Sequence, residues 1–306
     1  MRYRIQRDER VDFSAPVREH HFECRIAPWD DASQSLTSLQ IDLEPIAEWA
    51  SHRDCFGNQV HRAALLRAHD LCQVHLVAEV ETRLANPFDY DAVVPEREAV
   101  WIADSLRQAP RLWDYVLHRS ALTPAIQSFA QTEAADEQAP SPLATPPTWR
   151  SGVPLLKQVQ DACLWVQAEC DIDPARPPAA ALAELCQEQV GNSADLAHLL
   201  IAIVRGWAIP ARFVSGYLDP GYFEPDDDDP EGTPARAQAL HHWVEVLLPG
   251  GGWRGIDPAQ GLFADDTYVR LAVGRDLQDV TGFRHSFKGD GEFIGIETSL
   301  NVQRLD

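Results

Sequence analysis

Along the first quarter of the chain the apolar positions recur at every second residue. Leu39, Ile41 and Leu43 alternate with polar neighbours, and Val74, Leu76, Ala78 and Val80 face Gln73, His75 and Glu79. Successive strand side chains point to opposite faces, so this period of two predicts half-buried β-strands. Gly57-Asn58 supplies turn chemistry between the two runs. Together they predict antiparallel hairpins in a sandwich-like β domain over residues 1–88.

After residue 88 the spacing lengthens. Val100, Ile102, Leu106, Leu112 and Val116 are spaced for helices, and the stretch 131–149 is rich in Pro, Ala and acidic residues without a core pattern. Residues 89–150 are therefore expected to form a helical connector followed by a surface loop. A second domain, residues 151–306, begins with a helix over Val153–Cys170, whose buried stripe is expected to be Leu155, Val159, Cys163, Leu164 and Val166. Another helix is expected over 180–189. The segment from Gly191 then carries a complete helix signal: Asn192 or Ser193 to cap it, an apolar body to Arg205, and Gly206 with Pro210 to stop it. Residues 211–218, 243–248 and 253–256 read as strands, the last ended by Asp257-Pro258. Helices first and an antiparallel sheet second make an α+β domain.

The 306 residues are ordinary globular material, 45% hydrophobic and 24% charged, with a formal charge of −21. That sign argues against wrapping a phosphate backbone or an anionic bilayer, so neither nucleic acid nor membrane is an expected partner. The opening MRYRIQRDER carries charge where a signal peptide needs an apolar run, and the longest apolar stretch, Leu196 to Val204, is far below the roughly 20 residues that span a bilayer. The six cysteines (Cys24, Cys55, Cys72, Cys163, Cys170, Cys186) show no zinc spacing and suit free thiols in a reducing compartment. The expected location is cytoplasmic, and no cofactor or metal is expected.

Three polar residues fall where this fold would expose them together: Ser193 at the start of the central helix, His241 at the head of one strand and Asp257 at the end of the next. They form a nucleophile, a base and an orienter, with the helix N-terminus ready to stabilise a developing oxyanion. Each also has a plainer reading. Ser193 is a good helix cap, Asp257-Pro258 is a common turn pair, and His241-His242 would ordinarily be half-exposed strand residues. That vicinal pair makes a poor metal site, since its rings point to opposite faces. His198 lies more than a turn into the helix and reads as a buried, hydrogen-bonded residue; Asp195 suits the helix dipole; Trp243 and Trp253 fill core. The Asp226–Asp229 run reads as a solvated loop, able to attract a basic peptide.

The strings GNSADLAHLLIAIVRGWAIPARFVSGYL, HHWVEVLLPGGGWRGIDPAQGL and YVRLAVGRDLQDV resemble the signature blocks of bacterial transglutaminase-like proteins, which share the papain-type cysteine-peptidase fold. DCFGNQVHRAALL and VHLVAEVETRLANP resemble the N-terminal region attached to that family. The resemblance implies a catalytic His at His241, separated from Trp243 by one residue, His242, and a catalytic Asp at Asp257. The family's cysteine position holds Ser193, and Ala194 replaces the basic residue frequent after it.

A hydroxyl cannot be held ionised by an imidazolium as a thiol of pKa about 8.5 can. The implied function is hydrolysis or acyl transfer at a peptide or isopeptide amide, with activity weak, serine-based or lost. The alternative is an inactive module that binds a peptide or protein, basic ones included, in the same cleft. Relatives are often encoded beside ATP-grasp amide ligases, which implies a link to small-peptide chemistry.

Overall fold

A computed structural model describes residues 1–126, 143–223 and 239–305. Asp226–Asp229 and most of the 131–149 stretch lie outside these residues. In chain order the strands and helices are β1 (Arg2–Cys24), β2 (Gln34–Glu44), β3 (Ala50–Arg53), β4 (Gln59–Leu65), β5 (His69–Thr82), α1 (Pro95–Gln108), α2 (Asp114–Leu117), α3 (Leu155–Glu169), β6 (Asp171–Ile172), α4 (Leu182–Glu188), β7 (Val190–Gly191), α5 (Ser193–Gly206), β8 (Ala211–Leu218), β9 (His241–Leu248), β10 (Gly252–Asp257), β11 (Leu262–Phe263), β12 (Tyr268–Gly274), β13 (Phe283–Gly289) and β14 (Phe293–Arg304).

The architecture is α+β: a curled antiparallel sheet followed by a core of helices packed on a second antiparallel sheet. The first sheet has the order β2-β5-β1-β4-β3, and β13 and β14 also pair with β1. Its spine is β1, whose inward positions Tyr3, Ile5, Arg7, Glu9, Val11 and Phe13 are all buried. Two of these are charged and satisfy each other, Arg7 Nε donating to Glu9 Oε1 at 2.6 Å. Whereas the sequence division assigns everything after residue 150 to the second domain, residues 283–304 complete the sheet of the first.

The second sheet, β11-β10-β9-β8-β12, is antiparallel throughout. Helix α5 packs on β8 and β9 and is buried from Ala194 to Arg205, as its unbroken apolar body requires. Around it α3 buries Leu155, Val159, Cys163 and Val166, while Leu164 faces solvent, as does Val100 of α1. Helix period explains both: each lies nearly opposite the centre of its helix's buried face.

The outer edge of β12 is covered by two buried side-chain amides of the first sheet's loops and turns. Gln34 Nε2 donates to the Arg270 carbonyl at 2.9 Å and Gln34 Oε1 accepts the Arg270 N–H at 2.9 Å. Asn58 does the same to Val273, at 2.8 and 2.7 Å. Each amide pairs as a strand would, so these backbone groups are satisfied without a strand. Beside them Glu245 binds Arg212 and Arg270, whose guanidinium groups lie over the Trp29 ring.

Candidate functional site

The start of α5 is fixed by its own sequence. Asn192, extended, accepts the N–H groups of Ala194 and Asp195 at 2.8 and 3.2 Å, and Asp195 Oδ2 accepts the Asn192 N–H at 3.0 Å, a reciprocal capping box. Asp195 Oδ1 also accepts the Ala179 N–H at 2.9 Å, and burial pushes its carboxyl upward. Gly191 is required here: a Cβ would lie 2.7 Å from Leu185 and 2.8 Å from the Asp195 side chain. The cap is therefore Asn192, and Ser193, partly exposed, is the first residue of the helix, its side chain not consumed by capping.

His241, the residue expected to face Ser193, and its neighbour His242 separate because strand neighbours point to opposite sides. His242 turns toward α5 and Phe213, and Ser193 Oγ lies 3.4 Å from its Nδ1. His241 turns toward Trp243 and Tyr268. Its Nε2 lies 2.6 Å from Asp257 Oδ2, so the ring donates from Nε2 and keeps Nδ1 free to take a proton. Of the three residues singled out in the sequence, His241 and Asp257 meet directly, and the hydroxyl of Ser193 meets His242 rather than His241. Sequence reasoning treated His242 as an intervening residue; the signal for it was the vicinal pair read against the strand period.

Asp257 is fully buried and satisfied by four donors. Oδ1 accepts the N–H groups of Ala259 and Gln260 at 2.9 and 3.3 Å; Oδ2 takes the His241 ring and the Tyr268 hydroxyl, the latter at 3.0 Å. The turn that Asp257-Pro258 opens and the site thus share one carboxylate. From α3, the Cys163 thiol contacts the Asp257 carbonyl at 3.7 Å, and burial pushes that thiol up to about 12, too high to supply a thiolate.

The two imidazoles differ in what they can do. Burial, with His241 and His198 nearby, holds His242 down to about 3, so it is neutral at physiological pH and a feeble base. His198 is likewise held to about 3 by burial, stacked on Phe213 at 4.6 Å and accepting the Leu277 N–H at 3.2 Å, a structural role. At the far end of α5, Arg205 is buried against the carbonyls of Tyr115, Ala211 and Arg275, and burial lowers it to about 9. It ties the helix C-terminus to the connector.

No group of three or more His, Cys, Asp or Glu among the described residues is arranged to hold a metal ion. No described helix is long and apolar enough to cross a membrane. The arrangement offers a hydroxyl at a helix N-terminus, one weakly basic ring against it and a second ring with an oriented carboxylate.

Residues 146–258 match the transglutaminase-like superfamily, and residues 3–81 match the bacterial transglutaminase-like N-terminal region. An uncharacterised protein of Mycobacterium leprae is 24% identical over 306 residues, covering 99% of both chains. One from Mycobacterium tuberculosis is 32% identical over 125 residues, 39% of this chain and 38% of its own. Among solved structures, a candidate cysteine protease from Cytophaga hutchinsonii superposes with a TM-score of 0.67 at 17% identity, covering 100% of this chain and 92% of that one. At that identity the likeness is one of fold.

Proposed function

We propose that this chain is a transglutaminase-like protein that handles peptide or isopeptide amides through Ser193, His241 and Asp257, with slow, serine-based turnover. One observation carries the reading: the His241–Asp257 pair is assembled and buried, with Nε2 turned to the carboxylate and Nδ1 away from it, at the end of the sheet against which α5 packs. Such a pair is costly to bury and has no packing role that apolar residues could not fill.

In the proposed step the Ser193 hydroxyl leaves His242 and turns toward His241 Nδ1. Its oxygen bonds to the amide carbon while the proton passes to Nδ1. The carbonyl oxygen becomes an oxyanion beside the helix N-terminus, with the Ser193 N–H as a candidate donor. The C–N bond then breaks, the amine leaves with the proton from His241, and an ester on Ser193 remains for water or another amine. Asp257 stabilises the imidazolium throughout.

A second reading is supported by the Ser193–His242 contact. A hydroxyl resting on a neutral, weakly basic ring is not activated, which suits a module that holds a peptide in the cleft without cleaving it. A fluorophosphonate probe separates the two. Labelling of Ser193 that disappears in Ser193→Ala and in His241→Ala supports the enzyme; no labelling, with peptide affinity unchanged in Ser193→Ala, supports the binding module.

A further inference from the structure

The oxygen of Asp257 that holds His241 is not His241's alone. Oδ2 receives the ring N–H at 2.6 Å and the Tyr268 hydroxyl at 3.0 Å, while Oδ1 is occupied by the two amides of the turn. An ionised carboxylate only accepts, so the Tyr268 hydroxyl must donate. Burial, reinforced by the nearby Asp257 charge, pushes the phenol upward, so it retains its proton across the working range. Two donors on one oxygen share its negative charge, and each weakens the hold of the other.

Tyr268 is also built into place. It heads β12, three strands away from Asp257 on β10, with β9 and β8 between them. Between them Gly216 of β8 leaves the sheet surface open to the Trp243 ring. A Cβ at Gly216 would lie 2.4 Å from the Trp243 ring and 2.2 Å from the Val269 carbonyl. Trp243 fills the opening, edge-to-face with Tyr268 at 5.2 Å and stacked with His241 at 6.4 Å between centroids. The phenol, the indole and the imidazole therefore brace one another around the carboxylate.

We propose that Tyr268 is a positioning residue of this site, its hydroxyl drawing charge from Asp257 Oδ2 and so limiting how strongly that carboxylate supports a protonated His241. The proposal rests on the reading of His241 and Asp257 as base and orienter. Losing the hydroxyl returns the full charge of Oδ2 to His241 and widens the pH range over which an imidazolium can sit beside an ionised nucleophile.

The test uses the full chain carrying Ser193→Cys, so that ionisation at position 193 is read by iodoacetamide alkylation against pH. Adding Tyr268→Phe, which removes one oxygen, moves the alkaline limb of the profile upward by about one pH unit. It also moves the His241 Nε2–H proton resonance further downfield. Fluorotyrosine placed at position 268, a stronger donor, moves both readouts the other way, and decides the matter if Tyr268→Phe does not fold. An unchanged profile and resonance in the folded variant overturn the proposal. If the Ser193→Cys thiol is not alkylated at all, the function proposed above is in trouble, but the His241 resonance still reports on Tyr268 by itself.

Discussion

The hydroxyl of Ser193 lies 3.4 Å from Nδ1 of His242, one residue along the strand from the imidazole that Asp257 orients. This offset makes a prediction about restoring a thiol. Ser193→Cys should be alkylated by iodoacetamide at neutral pH about tenfold faster than the exposed Cys55, because an imidazolium and a helix N-terminus both favour thiolate. Peptide mapping separates the sites, and burial pushes the thiols of Cys72, Cys163 and Cys170 up to about 12. Adding His242→Ala leaves His241 as the thiol's ring partner and should raise the rate again. A fall instead would make His242 the activating ring.

Glu245 is buried between Arg212 and Arg270, and those two guanidinium groups, despite the opposing cost of burial, hold its carboxyl down to about 2. Glu245→Gln leaves two buried cations short of a counter-charge and should cost about 3 kcal/mol in urea denaturation at pH 7. The folded value lies below the ordinary 4.5, so the contribution is complete above pH 4.5 and lost as pH falls toward 2. The deficit of the variant should accordingly shrink over that interval; a constant deficit would show that charge is not its source.

A chain of three imidazoles links β1, β5 and β13. His69 Nδ1 lies 2.9 Å from the Arg67 carbonyl and must carry the proton, so His69 Nε2 accepts from His20 Nδ1 at 3.1 Å, and His20 Nε2 accepts from His285 Nδ1 at 3.2 Å. Burial and the two neighbouring rings lower His20 from 6.5 to about 4. Between those values the unfolded chain binds a proton that the folded one refuses, so stability is present above pH 6.5 and falls as pH drops toward 4. His20→Gln should flatten that slope of urea midpoint against pH, and an unaltered slope would remove this chain from the acid response.

The amides of Gln34 and Asn58 stand in for a strand along β12. Asn58→Ala strips partners from the buried N–H and carbonyl of Val273 and should destabilise by about 1–3 kcal/mol for the groups left unsatisfied. Hydrogen exchange at Val273 should accelerate with it; protection equal to the parent would show that other groups close this edge.

Much of this was legible in the chain. The alternation in β2 and β5, the capped and stopped helix α5, and the strands bearing His241 and Asp257 are local patterns, and local patterns survive in a linear sequence. What stayed hidden has physical causes. Strand β1 alternates in space over residues 2–13, but Arg7 and Glu9 occupy two inward positions and cancel each other only once folded. Strands β13 and β14 do carry a period of two, with Phe283, His285 and Phe287 in one and Ile294, Ile296, Leu300 and Val302 in the other, but no local pattern tells that they pair with β1 across the length of the chain. The split between His241 and His242 follows from alternation, yet which ring faces α5 depends on the register against β8, where Ser215 pairs with His242 and Gly216 with His241.

The pairing of β14 along residues 3–13 of β1 also bears on how the molecule comes into being. During synthesis the opening strand emerges long before the partner that will close its side. Its hydrogen-bonding edge stays bare until β14 has also left the ribosome. The core sheet and α5 can assemble in the meantime, so the ladder of β1 with β14 zips after them, and aggregation risk is concentrated in that interval.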